Sequence, residues 1–335
     1  MLRRLVVAAA AVSCATPPPA RPHSDRVALR IDAAEATAVL AVSASPTDDG
    51  WRRLFSSDGY RRLLVREQAM HRTLDESEMR AFVMSPDLAA RRASLADAVA
   101  HWSTVDLDAI ASRVFAYLPA DAKLVATIYP VIKPKPNSFV NFDDHGAAIF
   151  VSVDPARSAE DFDNTIAHEL HHIGFASIKD APCSAAPAIC EARKWSGAFG
   201  EGFAMLAAAG GSEIHPHRFS PPADRARWDH DVAAFDADLA KLQAFFTDVL
   251  SGKLDSAAAG EAAGELYGVQ GPWYTVGWVM ASSIERCFGR PRLIEAMHRS
   301  WTVLGLWNET RARCPTKTGT ATAVWDPAVV RAIDG

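Results

Sequence analysis

Residues 165–174 read TIAHELHHIG and place three histidines and one glutamate in five consecutive positions. Side chains four residues apart lie on the same face of a helix, so His168 and His172 can present their imidazoles to a single ion. Glu169 is rotated away by one residue, too far round to be a ligand but near enough to reach a water at that ion. This HExxH spacing predicts a Zn²⁺ site. The alternative is a polar helix surface, or histidines that find their partners inside the core.

The residues before this stretch predict a small sheet followed by a helix. Two short segments rich in β-branched residues, Lys123–Ile132 and Ala147–Val153, are bounded by Pro, Gly and Asp and therefore predict strands. Ser158–Asp161 has the form of a capping box, which opens a helix. That helix carries the three histidines. The extra one, His171, points along a different azimuth, as expected of a group that supports the site or lies at the surface.

A catalytic zinc needs a third protein ligand and an open fourth position. The segment GAFGEGFAMLAAAGGS at 197–212 contains a single charged residue, Glu201. An ionised carboxylate among small apolar residues is costly unless a cation meets it. The flanking Gly200 and Gly202 would also let this helix approach the first one closely. We therefore predict Glu201 as the third ligand. The alternatives left open are Glu191, Glu213 and the pair His215 and His217.

HELHH at 168–172, followed about thirty residues later by GEGFA at 200–204, resembles the gluzincin type (HExxH…E) of zincin metallopeptidases. The wider text IAHELHHIGF, GEGFAMLAAAG and GPWYTVGWVM is similar to an uncharacterised bacterial family of zinc-dependent peptidases, over roughly residues 30–310. This resemblance implies a zincin-like fold, a zinc cofactor and a peptide or protein substrate. It also implies that Glu169 is the general base.

Two features of the chain limit which types of zincin it can resemble. The longer metzincin signature requires Gly and then His or Asp at positions that hold Phe175 and Ile178, so that type is excluded. In thermolysin-like gluzincins an Asp supports a zinc histidine, and here Met205 stands at its position. Support for the histidines is therefore expected from Asp163, Asn164 or backbone carbonyls.

Peptide hydrolysis also needs a hydrogen-bond donor for the oxyanion that develops on the carbonyl oxygen. Tyr274 is the first candidate, because gluzincins resembling this chain use a Tyr or His from a later helix. The alternative is that Tyr274 packs with Trp273 and Trp278 in an aromatic core. Tyr267 and His215 are weaker candidates for the same role.

The N-terminus has the pattern of an export signal. Met1–Arg4 is basic and the next residues, Leu5–Val12, form an apolar run too short to span a bilayer. Ala11–Cys14 resembles a bacterial lipobox, in which the cysteine becomes the lipidated first residue. A lipid on Cys14 would attach the chain to a membrane, and the alternative is plain secretion after cleavage near Ala20. Both place the protein outside the cytoplasm.

Composition and cysteines agree with an exported globular protein. The chain has 335 residues, of which 49% are hydrophobic and 22% charged, enough to bury a sizeable core. Its net charge of -5 and the absence of a basic run argue against a nucleic-acid partner. Apart from Cys14, four cysteines remain, and short separations favour disulfides between Cys183 and Cys190 and between Cys287 and Cys314. A metal site of four thiolates is disfavoured, because neither pair has the close spacing of such sites.

We therefore expect an α+β protein, mostly α, with a zincin-like fold, a small antiparallel sheet next to the HExxH helix and an N-terminal helical bundle. The expected regions are a signal peptide with a lipobox at 1–14, a Pro-rich tether at 15–30, a helical region at 31–120 and a catalytic region at 121–335. Ala147–Val153 would be the edge strand that aligns an extended peptide beside the zinc, since backbone pairing holds a substrate without reading its sequence. The expected function is zinc-dependent hydrolysis of peptide bonds. Two alternatives stay open: an exported zinc-bearing lipoprotein with a structural or binding role, and a metal-dependent hydrolase of non-peptide substrates.

Overall fold

The computed structural model describes residues 26–72, 74–178 and 181–334. The expected export signal, Cys14 and the tether as far as residue 25 lie outside these described residues.

Four strands are present in the described residues, β1 (Val27–Ile31), β2 (Leu124–Val131), β3 (Phe139–Asp143) and β4 (Gly146–Ser152). Six helices lie between β1 and β2: α1 (Ala34–Ala44), α2 (Asp48–Ser56), α3 (Asp58–Ala69), α4 (Glu76–Val83), α5 (Pro86–Trp102) and α6 (Leu107–Phe115). Ten follow β4: α7 (Ala159–Ala176), α8 (Pro187–Ser196), α9 (Gly200–Ala209), α10 (Pro222–Ala233), α11 (Phe235–Leu250), α12 (Ser256–Tyr267), α13 (Pro272–Phe288), α14 (Arg290–His298), α15 (Thr302–Arg313) and α16 (Pro327–Asp334).

This architecture confirms an α+β protein that is mostly helical, but the sheet is mixed. Its strand order is β1-β2-β4-β3. β1 is parallel to β2, β2 is parallel to β4, and β3 alone runs antiparallel to its neighbour β4. The expectation of an antiparallel sheet is therefore wrong. The physical reason is visible in β2, which is buried along nearly its whole length. Strands covered on both faces carry continuous apolar runs and are typically parallel, whereas half-exposed antiparallel strands alternate.

The edges of the sheet also differ from expectation. β4 pairs with β2 on one side and β3 on the other, so the strand predicted as the edge is internal and has no free backbone to offer a peptide. The two edges are β1 and β3. β1 was missed altogether and lies in the last residues of the segment predicted as a tether. In its sequence VALRI, the larger apolar residues Val27, Leu29 and Ile31 alternate with Ala28 and Arg30, and the less exposed positions of the strand follow the same alternation. That alternation was the available signal.

Helices cover both faces of the sheet, which fixes the position of α7. On one face Ile166 and Leu170 of α7 share a core with Ile128 and Ile149 of the strands. On the other face Leu63 of α3 packs with residues that point the opposite way, including Phe150. Since the apolar side of α7 faces the sheet, its remaining surface is left for polar side chains.

The start of α7 confirms the helix start predicted at Ser158 and one of the two bonds of a capping box. Ser158 is the N-cap, and its hydroxyl accepts a hydrogen bond from the backbone N–H of Asp161 at 3.1 Å. Glu160 and Asp161 add negative charge to the first turn, where it complements the helix dipole. The helix that carries the HExxH residues is therefore fixed at its N-terminus by local sequence.

The second half of the chain is helical and surrounds α13. Trp273 is fully buried there, with Phe199 at 5.2 Å and Phe246 at 6.0 Å between ring centroids.

The two predicted disulfides are present, joining Cys183 to Cys190 and Cys287 to Cys314. The second of these connects the ends of α13 and α15. Within the described ranges, no helix has both the length and the apolar character needed to cross a bilayer.

Helices α9 and α13 cross at two glycines with their backbones in contact. A Cβ built on Gly202 would lie 2.2 Å from the Trp278 nitrogen and 2.5 Å from the Tyr274 carbonyl oxygen. A Cβ built on the facing Gly277 would lie 2.9 Å from the Phe199 carbonyl oxygen. Only glycine fits at such an approach. The crossing therefore sets how far Glu201 of α9 lies from Tyr274 of α13.

The first prediction concerns this crossing. Gly202→Ala forces the two helices apart, and we expect it to lower the free energy of unfolding by about 1–3 kcal/mol, as overpacking of a filled core does. Gly200→Ala is the matched control, because a Cβ there meets no atom within 4 Å. In the control, alanine at a helical position should leave stability equal or slightly higher. Urea denaturation followed by circular dichroism measures both, and equal midpoints for the two variants would contradict the role given to the crossing.

Candidate metal centre

Three side chains from two helices converge at one point. His168 and His172 lie on α7, one helical turn apart, and Glu201 lies in the first turn of α9. The Nε2 atom of His168 lies 3.1 Å from the Oε2 atom of Glu201 and 3.1 Å from Nε2 of His172. The distance from His172 Nε2 to Glu201 Oε2 is 3.3 Å. The predicted ligand set is therefore brought together from segments 29 to 33 residues apart in sequence.

This triangle of atoms fits a zinc ion. Bonds of about 2.0–2.1 Å in tetrahedral geometry hold ligand atoms about 3.3–3.4 Å apart, close to the distances seen here. Two imidazole nitrogens and a carboxylate oxygen are also a donor set that zinc takes. The three side chains are 14%, 27% and 20% exposed, for His168, His172 and Glu201 respectively, so none of them is fully closed off from the solvent.

The charges at the site favour an ionised carboxylate. Burial by itself would raise the pKa of Glu201, but the nearby His172 and His168 imidazoles outweigh it and hold the pKa well below the usual range. Burial lowers the pKa of His172, and the Glu201 carboxylate outweighs that effect and raises it to about 9. Glu201 is therefore negative and the imidazoles beside it compensate the charge, which is the role that a cation would take.

Glu169 lies on the same helix and lines the same cleft as His168. Burial raises the pKa of its carboxyl group, and the charges of His168 and His172 oppose the rise. A carboxylate in such a position is a stronger proton acceptor than one in water. Glu169 is therefore a buried carboxyl group on the same helix as the two converging histidines.

Tyr274 lines the same cleft. Its ring is nearly parallel to that of His168, with 6.2 Å between centroids and 10° between planes. Burial, followed by the charge of Glu201, raises the pKa of its hydroxyl, which therefore stays protonated and able to donate. The neighbouring Trp273 occupies the aromatic core, and Trp278 packs against Trp228 instead. Tyr274 therefore lines the cleft, while the adjacent Trp273 takes the place in the aromatic core that was the alternative for Tyr274.

The rival ligands lie elsewhere. Glu191 accepts hydrogen bonds from Lys194 and Trp195, and His215 is bound to Asp229 at 2.8 Å. Within the part of the chain that the structure describes, one group of three His, Cys, Asp or Glu residues has its ligand atoms within 4.8 Å of one another, and it consists of His168, His172 and Glu201. Neither Glu213 nor His217 belongs to it.

The support expected for His168 from Asp163, Asn164 or a backbone carbonyl is not found among the described residues. Nδ1 of His168 has no hydrogen-bond partner among the described residues, and neither do Oδ1 of Asp163 and Oδ1 of Asn164. His171 is buried, with 1% exposure, and its ring contacts Phe175. Burial, together with the charges of the other two histidines, lowers its pKa well below the usual value, so this imidazole is neutral.

The cleft in front of the centre has a volume of about 530 Å³. Val269 and Gln270 are among the lining residues that sequence reasoning missed. The signal was the Gly268 and Gly271 pair around them, which marks a turn directly before the segment that carries Tyr274.

One comparison with known proteins gives a match. A family model described as "Putative zinc dependent peptidase (DUF5700)" matches residues 51–310, which is most of the chain and includes every residue of the centre. No curated protein and no solved structure matches the chain.

Proposed function

The chain belongs to DUF5700, a family described as zinc dependent peptidases, and on this premise we propose that it hydrolyses peptide bonds at the centre formed by His168, His172 and Glu201. The observation that carries the proposal is the convergence of two imidazoles and a distant carboxylate at 3.1–3.3 Å, with Glu169 and Tyr274 facing the same cleft. A purely structural metal site would have no use for the last two residues, and it would be closed rather than open to a cleft.

The residues divide the chemistry between them. His168, His172 and Glu201 would hold the zinc, which supplies a Lewis acid that lowers the pKa of water toward neutrality. Glu169 would take a proton from the attacking water and then deliver it to the leaving amine, since one carboxyl group can act as base and then as acid. Tyr274 would donate its O–H to the oxygen on which negative charge develops. Its protonated state makes it a donor throughout the usual pH range.

Two finer assignments belong to the same proposal. A sheet covered by the HExxH helix, followed by a glutamate ligand on a later helix, supports the gluzincin type of zincin. The two disulfides support a location outside the cytoplasm, since such bonds persist in oxidising compartments. Attachment through a lipid on Cys14 remains a prediction from the sequence.

The test of the function is digestion of fluorescein-labelled casein by the purified chain. We expect cleavage that stops when 1,10-phenanthroline removes the metal and returns when about one equivalent of Zn²⁺ per chain is added back. Mass spectrometry of the products should show new peptide termini. A zinc-loaded chain that leaves casein and a mixed peptide library intact would contradict the proposal.

A further inference from the structure

The turn between α12 and α13 contains a strained residue that lines the cleft. Gln270 has a φ of 63°, in the left-handed region that side chains other than that of glycine rarely adopt. Among the described residues one other non-glycine residue has a positive φ, the exposed His71 after α3, with a φ of 52°. Gln270 lines the same cleft as Glu169 and Tyr274.

Backbone contacts on both sides impose this conformation. The N–H of Gly271 donates to the Tyr267 carbonyl at 2.7 Å, and the Gly271 carbonyl accepts from the N–H of Tyr274 at 2.9 Å. A Cβ on Gly271 would lie 2.9 Å from the Leu266 carbonyl oxygen, so this neighbour is fixed as well. None of these contacts uses the side chain of residue 270. Glycine would satisfy the same turn without strain.

The side chain of Gln270 also carries a polar atom that the described residues leave without a partner. Its Oε1 atom is buried and has no hydrogen-bond partner among the described residues. An acceptor removed from water and left unpaired is destabilising, and this adds to the backbone strain. Two unfavourable features at one residue, in the wall of a catalytic cleft, are expected where a ligand supplies the missing partner.

We propose that Gln270 binds the peptide substrate, with its side-chain amide hydrogen-bonded to the substrate backbone beside the scissile bond. A carboxamide both donates and accepts, as a peptide group does, so it can pair with a peptide backbone without selecting a side chain. The turn lies directly before the helix that carries Tyr274, and both residues line the same cleft. The inference rests on the proposed function and adds the residue that aligns its substrate.

The experiment compares Gln270→Gly with Gln270→Asn, and uses His71→Gly as the matched control for relief of backbone strain. Each variant is prepared as the zinc-loaded full chain, and Tm, zinc content and kcat/KM for a quenched fluorescent peptide cleaved by wild type are measured. We expect Gln270→Gly to keep its zinc and an equal or higher Tm while kcat/KM falls about tenfold. Gln270→Asn, which keeps the amide and tolerates the left-handed region, should recover part of that loss. His71→Gly should match wild type in kcat/KM.

Several outcomes would overturn the inference. A kcat/KM within twofold of wild type in Gln270→Gly would make Gln270 a turn residue only. A loss of activity that accompanies a lower Tm or less zinc would mean that Gln270 acts through the fold. If zinc-loaded wild type cleaves no peptide at all, the proposed function fails and the inference fails with it. The wild-type rate therefore tests the function, and the ratio of variant to wild type tests Gln270.

Discussion

Replacing Glu169 with glutamine is expected to reduce kcat/KM for casein by about 10²–10⁴-fold while about one zinc per chain remains bound. Glutamine has nearly the same shape as glutamate but cannot accept a proton at neutral pH. Glu169 stands in the cleft and outside the three converging atoms, so the ligand set stays complete. Steady-state kinetics and elemental analysis on the same preparation check both parts. Loss of zinc from Glu169→Gln, or full activity, would show that its assigned role is wrong.

Tyr274→Phe provides the comparison for this variant. It removes one hydroxyl group and leaves the ring beside His168. Loss of a single donor to an oxyanion lowers kcat by about 10²–10³-fold, and zinc content should not change. A wild-type kcat in Tyr274→Phe would exclude Tyr274 as the oxyanion donor and leave the assignment of Glu169 untouched.

Removing a ligand is expected to have the other large effect. His168→Ala and Glu201→Ala should each lower the zinc content from about one ion per chain to near zero after dialysis, and activity should fall to background. Zinc should also raise the Tm of wild type, because an ion that binds the folded state alone stabilises it, and this shift should vanish in both variants. Elemental analysis and thermal scans with and without Zn²⁺ measure the two effects.

Glu191→Gln is the matched control for the ligand variants. Glu191 was a rival ligand in the sequence, and in the structure it accepts hydrogen bonds from Lys194 and Trp195. Its substitution should leave zinc content and activity unchanged. If Glu201→Ala keeps its zinc while Glu191→Gln loses it, the centre has been assigned to the wrong carboxylate.

Local features of the sequence predicted those parts of the fold that local physics decides. The capping box at Ser158, the helix that places His168 and His172 on one face, and the short-range pairing of cysteines all depend on residues close in the chain. The isolated charge of Glu201 predicted that this carboxylate must meet a partner, because burying a lone ionised group is costly. In the structure the two histidines are that partner.

The direction and order of the strands could not be obtained in this way. An apolar run such as β2 fits a strand in either direction, and its partners are chosen by which helices cover the sheet. β4 became internal because β1 and β3 occupy the edges, and β1 is more than ninety residues away from β2 in sequence. Pairing over such distances leaves little trace in any local pattern.

By itself the sequence determined that His168 and His172 share one face of a helix, that the isolated Glu201 requires a cation or its equivalent, and that the chain is mostly helical. Only the tertiary structure decided that Tyr274, rather than Trp273, faces the cleft, and that Gln270 is held there in a strained conformation. The reason is that the side on which a helix is buried is set by its contacts with other helices. Here the close crossing of Gly202 and Gly277 fixes the rotation of α13, and no local pattern encodes that crossing.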